Sequence, residues 1–167
     1  RYPNTGSPEL IVSVAGKIFA ITVQGRSATA RVIATGNSIT FMHAWMVQGF
    51  EWLVIQDGIH APIFYNGSTV RRSNLAQQEM PVGSVMAYIH GRFVVASADG
   101  KNIIRVGEIV YANTNANTSD ILKFPNVIPS FDIATNLGDV MGLQPMPFLD
   151  TGSATNELVA LCQNGFT

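Results

Sequence analysis

A single cysteine, Cys162, stands among the 167 residues, so no disulfide can form within the chain and no cysteine-rich metal site can be built. It lies in the apolar run LVALC and reads as a small buried hydrophobe. Charge is also scarce. Charged residues make up 13% of the chain, against about a quarter in an ordinary domain. Ten cations and eleven acids leave a net charge of −1. That balance argues against a broad electrostatic footprint for DNA, RNA or an anionic membrane, and Arg71-Arg72 is the only basic pair. No apolar stretch reaches the roughly 18 residues of a membrane span, and no secretory signal is visible.

Chemistry-bearing patterns are thin as well. His43, His60 and His90 share neither a helix face nor a metal-ligand spacing. There is no Gly-x-Ser-x-Gly elbow, no Gly-x-Gly-x-x-Gly and no Gly-Lys-Ser/Thr loop. Asp57, Asp99 or the Asn-rich loop could attract calcium, but the twelve-residue calcium-loop pattern is missing. The expectation is therefore no cofactor and no metal.

Helical periodicity is equally hard to find, and what replaces it is a repeat. Short apolar runs are bounded by Gly, Asn, Asp and Pro, the signature of strands. Gly16 to Gly25 reads GKIFAITVQG, Gly49 to Gly58 reads GFEWLVIQDG, and Gly91 to Gly100 reads GRFVVASADG. In each, two glycines nine positions apart flank an apolar strand. A fourth copy, NELVALCQNG, ends at Gly165 and has Asn156 in place of the first glycine. Another strand precedes each of the first three copies: LIVSVA, AWMVQ and VMAYIH. The glycines read as turn positions, since hairpin turns of the primed types need positive φ. Third strands are expected at Thr29 to Ala34, Pro62 to Tyr65 and Ile103 to Val106, with a further turn at Asn66-Gly67.

The closing glycines are 33, 42 and 65 residues apart. Periods near 40 fit propeller blades of three or four strands. The long last step implies an insertion, placed at about 111–120 in the polar run ANTNANTSD. The chain is expected to be a single all-β repeat domain, 1–167, with propeller-like blades of antiparallel strands. A β-sandwich or barrel is the alternative. Opening on Arg1 rather than Met, it is expected to be a piece of a longer protein.

Two functional readings of particular residues compete with structural ones. PFLDTGSAT, Pro147 to Thr155, looks like the Asp-Thr-Gly loop of aspartic peptidases, with Asp150 as the acid. That chemistry needs two carboxylates sharing a proton. The competing reading is a polar hairpin loop joining the two strands of the fourth repeat, where a turn is already required. Phe19, Phe50, Trp52, Tyr88 and Phe93 could form a stacking platform for sugars or bases, but bulky aromatics also fill the space between sheets. In FEWLVIQDG the alternation places Phe50, Trp52 and Val54 on one side, which suits one buried face.

From Trp52 onward the sequence resembles bacteriophage virion structural proteins of a propeller-like kind. The strings that carry the resemblance are WLVIQDGIHAPIFYNGSTVRRS, MPVGSVMAYIHGRFVVASADG, VGEIV and SDILKF. They set out strands and turns and carry no catalytic residues. The resemblance implies a non-enzymatic building block of the tail or head-to-tail region, located in the virion. Its partners would be other virion proteins and copies of itself, with no nucleic acid and no membrane. A receptor- or glycan-binding propeller, with Trp45 or Trp52 lining a groove, is the second reading. An aspartic-type peptidase is the third.

Overall fold

The computed structural model describes residues 8–33, 39, 44–109, 118–126, 130–146 and 157–167. Among these residues the fold is all-β, and the strands form four separate antiparallel sheets in chain order. The first holds β1 (Glu9–Val14), β2 (Lys17–Gln24) and β3 (Ser27–Val32). The second holds β4 (Trp45–Gly49), β5 (Trp52–Gln56), β6 (Ile63–Tyr65) and β7 (Val70–Arg72). The third holds β8 (Gly83–Ile89), β9 (Arg92–Ser97), β10 (Ile103–Val106) and β11 (Phe131–Asp132). The fourth holds β12 (Val140–Met146), β13 (Glu157–Cys162) and β14 (Gly165–Phe166). Each sheet is a meander in which sequence neighbours pair, and none closes into a barrel.

Turn chemistry explains the meanders. Val14 pairs with Lys17 and Ile89 with Arg92, so each hairpin turns in two residues. Those residues are Ala15-Gly16 and His90-Gly91, all four at positive φ, as a type I′ turn requires. Gly25 and Gly58 also have positive φ, of +61° and +78°. Gly49 behaves differently: it ends β4, and the positive φ of that turn falls on Phe50 at +53°. Gly100 accepts a hydrogen bond from the Ile103 amide at 2.7 Å, and Gly165 lies within β14, with Gln163-Asn164 as its turn.

Gly49 is small because two rings lie against it. A Cβ there would fall 2.3 Å from Cδ2 of Tyr88 and 2.7 Å from Cζ of Phe93. Gly49→Ala is therefore expected to cost about 1–3 kcal/mol through overpacking. Urea unfolding checks this: an unchanged midpoint would mean that Tyr88 simply swings aside.

The sheets stack face to face in chain order. Between the first and second lie Ile18 and Ala20 against Leu53, Ile55, Ile63 and Tyr65. Between the second and third lie Trp52, Val54 and Phe64 against Met86, Phe93 and Val95. Between the third and fourth lie Val85, Ala87, Val94 and Ile104 against Val140, Leu143 and Ala160. The first strands of the later sheets adjoin in space, β4 beside β8 and β8 beside β12. All five residues of β5 are buried, which corrects the expectation of one buried face for FEWLVIQDG. A strand with a sheet on either side buries both parities, so it reads as a continuous apolar run rather than an alternating one.

Of the expected insertion at about 111–120, residues 111–117 lie outside the described residues. The 3₁₀ turn Thr118–Leu122 follows, and it places Ile121 and Leu122, both fully buried, in the core between the second and third sheets. Its docking is fixed by backbone bonds from the Met80 amide to the Leu122 carbonyl, 2.9 Å, and from the Phe124 amide to the Gln78 carbonyl, 2.6 Å.

Candidate functional site

The loop after β5 holds the most enzyme-like pair. The Asp57 side chain is 1% exposed, and His60 Nδ1 lies 2.7 Å from its Oδ2. Its Oδ1 accepts from the amides of Ile59 at 3.0 Å and His60 at 2.8 Å. This is an Asx-type turn that sets the path into β6. His90 stands in the turn between β8 and β9, and Asp99 is exposed in the loop after β9. His43 and Asp150 lie outside the described residues. Residues 147–156 join β12 to β13, which pair with Met146 opposite Glu157. Among the described residues no group of three or more His, Cys, Asp or Glu gathers as a metal site. No helix among them is long and apolar enough to cross a membrane.

The basic pair is used inside the fold. Both guanidinium nitrogens of Arg71 donate to Glu79, at 2.7 and 2.6 Å, in a bidentate fork. Its guanidinium also lies 5.1 Å from the Phe64 ring centroid and 5.9 Å from that of Trp52. Arg72 donates to the Ala61 carbonyl at 2.6 Å. Glu79 is 6% exposed and takes a further bond from the Asn74 amide at 2.7 Å. Burial alone would push its carboxyl up, but Arg71 and the Asn74 amide outweigh burial and hold it below the ordinary value. These residues, with Asp120 and Lys123, line a polar notch of about 480 Å³.

A second clasp ties the first sheet to the second. Arg31 on β3 donates to Glu9 on β1 at 2.6 Å and also to the Tyr65 hydroxyl on β6. The Tyr65 hydroxyl lies 2.8 Å from the other Glu9 oxygen, to which it donates. Burial, then the Glu9 carboxylate, push the Tyr65 hydroxyl above its ordinary value, with Arg31 opposing. Sequence reasoning missed both clasps. Glu9 and Tyr65 are 56 residues apart, and no local pattern marks that distance. Glu79 sits eight residues after Arg71, in a segment without strand or helix periodicity.

Of the aromatics proposed as a platform, Trp52, Tyr88 and Phe93 are packing residues, whereas Phe19 lies on the outer side of the first sheet and Phe50 is 39% exposed in the turn after β4. Trp52, Phe93 and, in part, Trp45 and Tyr88 lie in or against the core between the second and third sheets. The Tyr88 and Phe93 rings meet at 5.2 Å. Cys162 is half-buried and packs against the core between the third and fourth sheets. An apolar cleft of about 510 Å³ opens between those two sheets, lined by residues that include Ile104, Phe131, Leu158 and Ala160, with His90 and Arg92 also bordering it.

Among the described residues, several exposed large hydrophobics gather on the outer sides of the first and fourth sheets. Registers place Leu10, Val12 and Val14 of β1, Phe19, Ile21 and Val23 of β2, and Ala28, Ala30 and Val32 of β3 on the outer side of the first sheet. All of these are apolar, and Lys17 of β2, opposite Val14, is the charged residue on that side. Leu10, Val14 and Val23 are 57–60% exposed. The outer side of the fourth sheet is mixed: the registers place Gly142, Gln144, Met146, Val159, Leu161 and Phe166 there, of which Gln144, Met146, Leu161 and Phe166 are exposed. Contiguous exposed apolar surface of this kind is uncommon on a monomer. The signal was present in the sequence: KIFAITV is apolar at both parities, as a strand covered on both sides would be. The chain matches no protein-family model, no curated protein and no solved structure at a significant level.

Proposed function

We propose that this chain is a structural component of a bacteriophage particle, associated with the tail or the head-to-tail region, that works by subunit assembly. In this reading the four sheets are propeller-like blades. Their supports are the repeated meander, the stacking in chain order and the adjoining first strands β4, β8 and β12. The observation that carries the assembly reading is the uncovered apolar outer face of the first sheet, with the exposed Met146, Leu161 and Phe166 on the outer side of the fourth beside it. A free-standing monomer rarely keeps contiguous apolar patches of that kind, whereas a part of a larger particle has neighbours to cover them. The partners are other virion proteins and copies of the chain itself. A low net charge and side chains committed to interior clasps suit a building block rather than a catalyst. The test is mass spectrometry of purified particles, in which the protein is expected at a fixed copy number relative to the major structural proteins. Its absence from intact particles would remove the proposal.

A further inference from the structure

We infer that the cleft between the third and fourth sheets binds a small amphipathic carboxylate, with an apolar tail in the cleft and the acid head on Arg92. The site is made by two neighbouring sheets and does not depend on what the chain assembles with.

The cleft follows from how the two sheets meet. Their first strands, β8 and β12, adjoin closely, whereas β10 and β13 do not. The gap therefore widens away from the first strands, and Ala160 is the short side chain that β13 gives to its wall. Its floor is apolar. Val94, Ile104 and Val106 are buried, yet the space they line measures about 510 Å³. That volume falls in the range of roughly 300–1,000 Å³ typical of small-molecule sites. Phe131 also lines the cleft and is largely exposed, so the space reaches solvent.

One cation stands in this apolar setting. Arg92 opens β9 and shares the parity of Val94 and Ala96, which face the fourth sheet, whereas Phe93 and Val95 face the second. Apart from His90, Arg92 and Thr167 the described lining is apolar, and it holds no acid. Among the described residues no carboxylate pairs with the Arg92 guanidinium, whereas Arg31 and Arg71 each hold one.

Charge complementarity sets the head group. A guanidinium beside a low-dielectric wall attracts an anion more strongly than it does in open water, and its planar fork matches one carboxylate. The apolar lining sets the tail. A peptide would bring amide N–H and C=O groups that this floor leaves unpaired, whereas a hydrocarbon chain brings none. The contrasting behaviour is an arginine that lays its stem on apolar surface, keeps its head in water and binds nothing.

Calorimetric titration of the full chain with decanoate, below its micelle concentration, separates the two. One decanoate per chain is expected. Decanol has the same tail without the charge, and decyltrimethylammonium carries the opposite charge. Both are expected to bind about tenfold or more weakly than decanoate, the scale of a charge-assisted hydrogen bond. Arg92→Gln is expected to weaken decanoate about tenfold or more and to leave decanol unchanged. Arg92 is only half-buried, so this variant is expected to fold as the parent does, which circular dichroism checks. Ala160→Leu narrows the cleft and is expected to weaken both ligands; if that variant does not fold, Arg92→Gln alone decides. Absence of decanoate binding overturns the inference. Equal affinity for decanoate and decanol overturns it as well, since no head-group site would remain. Unchanged decanoate affinity in Arg92→Gln, or in a folded Ala160→Leu, puts the bound molecule elsewhere and also overturns it.

Discussion

Replacing Arg71 by Met is expected to lower the unfolding free energy by about 3–5 kcal/mol, the range for stranding a buried partner charge. The substitution keeps an apolar stem over Phe64 and Trp52 but removes the fork that holds Glu79. Glu79 is 6% exposed but borders the polar notch, so water regains only part of what the two lost donors supplied. The double variant Arg71→Met, Glu79→Gln should recover much of the loss, because it leaves no unpaired charge. Denaturant midpoints of the parent, the single variant and the double variant decide the matter, and a single variant as stable as the parent would refute the account. The pH dependence carries a sign. In the folded chain the Glu79 carboxyl titrates below its ordinary value of 4.5. The clasp's contribution is therefore fully present above that value and is lost as the pH falls through the folded value. Acid unfolding of the parent should contain this component, and the double variant should lack it.

Phe93→Ala is expected to cost a similar amount, about 3–5 kcal/mol. The ring is fully buried, lies between the second and third sheets and packs against Tyr88 and the space left by Gly49. Truncation removes apolar area and leaves a void that cannot collapse easily, since sheets on two sides hold the walls in place. Against a typical total stability of about 5–15 kcal/mol, that loss brings the chain close to unfolding at ordinary temperature. Phe93→Leu should cost markedly less. Equal midpoints for the two variants would show that the wall relaxes around either one.

The strands were legible because turn chemistry is local. Ala15-Gly16 and His90-Gly91 mark two-residue turns whether or not anything packs on them. β6 and β10 also fall inside the expected third strands. Two-sided burial was harder to see. Trp52 to Gln56 is covered on both faces, and the one-sided reading came from extending an alternation to Phe50, which lies in the turn. β12 was expected only as the unnamed first strand of the fourth repeat, and its bounds were not legible because Pro145 and a register shift between Val140 and Gly142 disguise it. The glycines divided by physical cause: Gly16 and Gly91 answer to φ, whereas Gly49 answers to two rings contributed by strands some forty residues further on. The clasps at Glu9–Arg31–Tyr65 and Arg71–Glu79 were out of reach, since their members meet only after the sheets have stacked.

The Thr118–Leu122 turn has a bearing on the order in which the chain folds. An array of meanders can ordinarily fold one unit after another as synthesis proceeds, each unit needing only its predecessor. Here the layer between the second and third sheets is finished by Ile121 and Leu122, which reach it only after β10 has been made. That layer closes late, through contacts distant in sequence, and such contacts slow folding. Once closed, it holds the middle two sheets as a cooperative unit. The first and fourth sheets, each covered on one side alone, are then the parts that detach first.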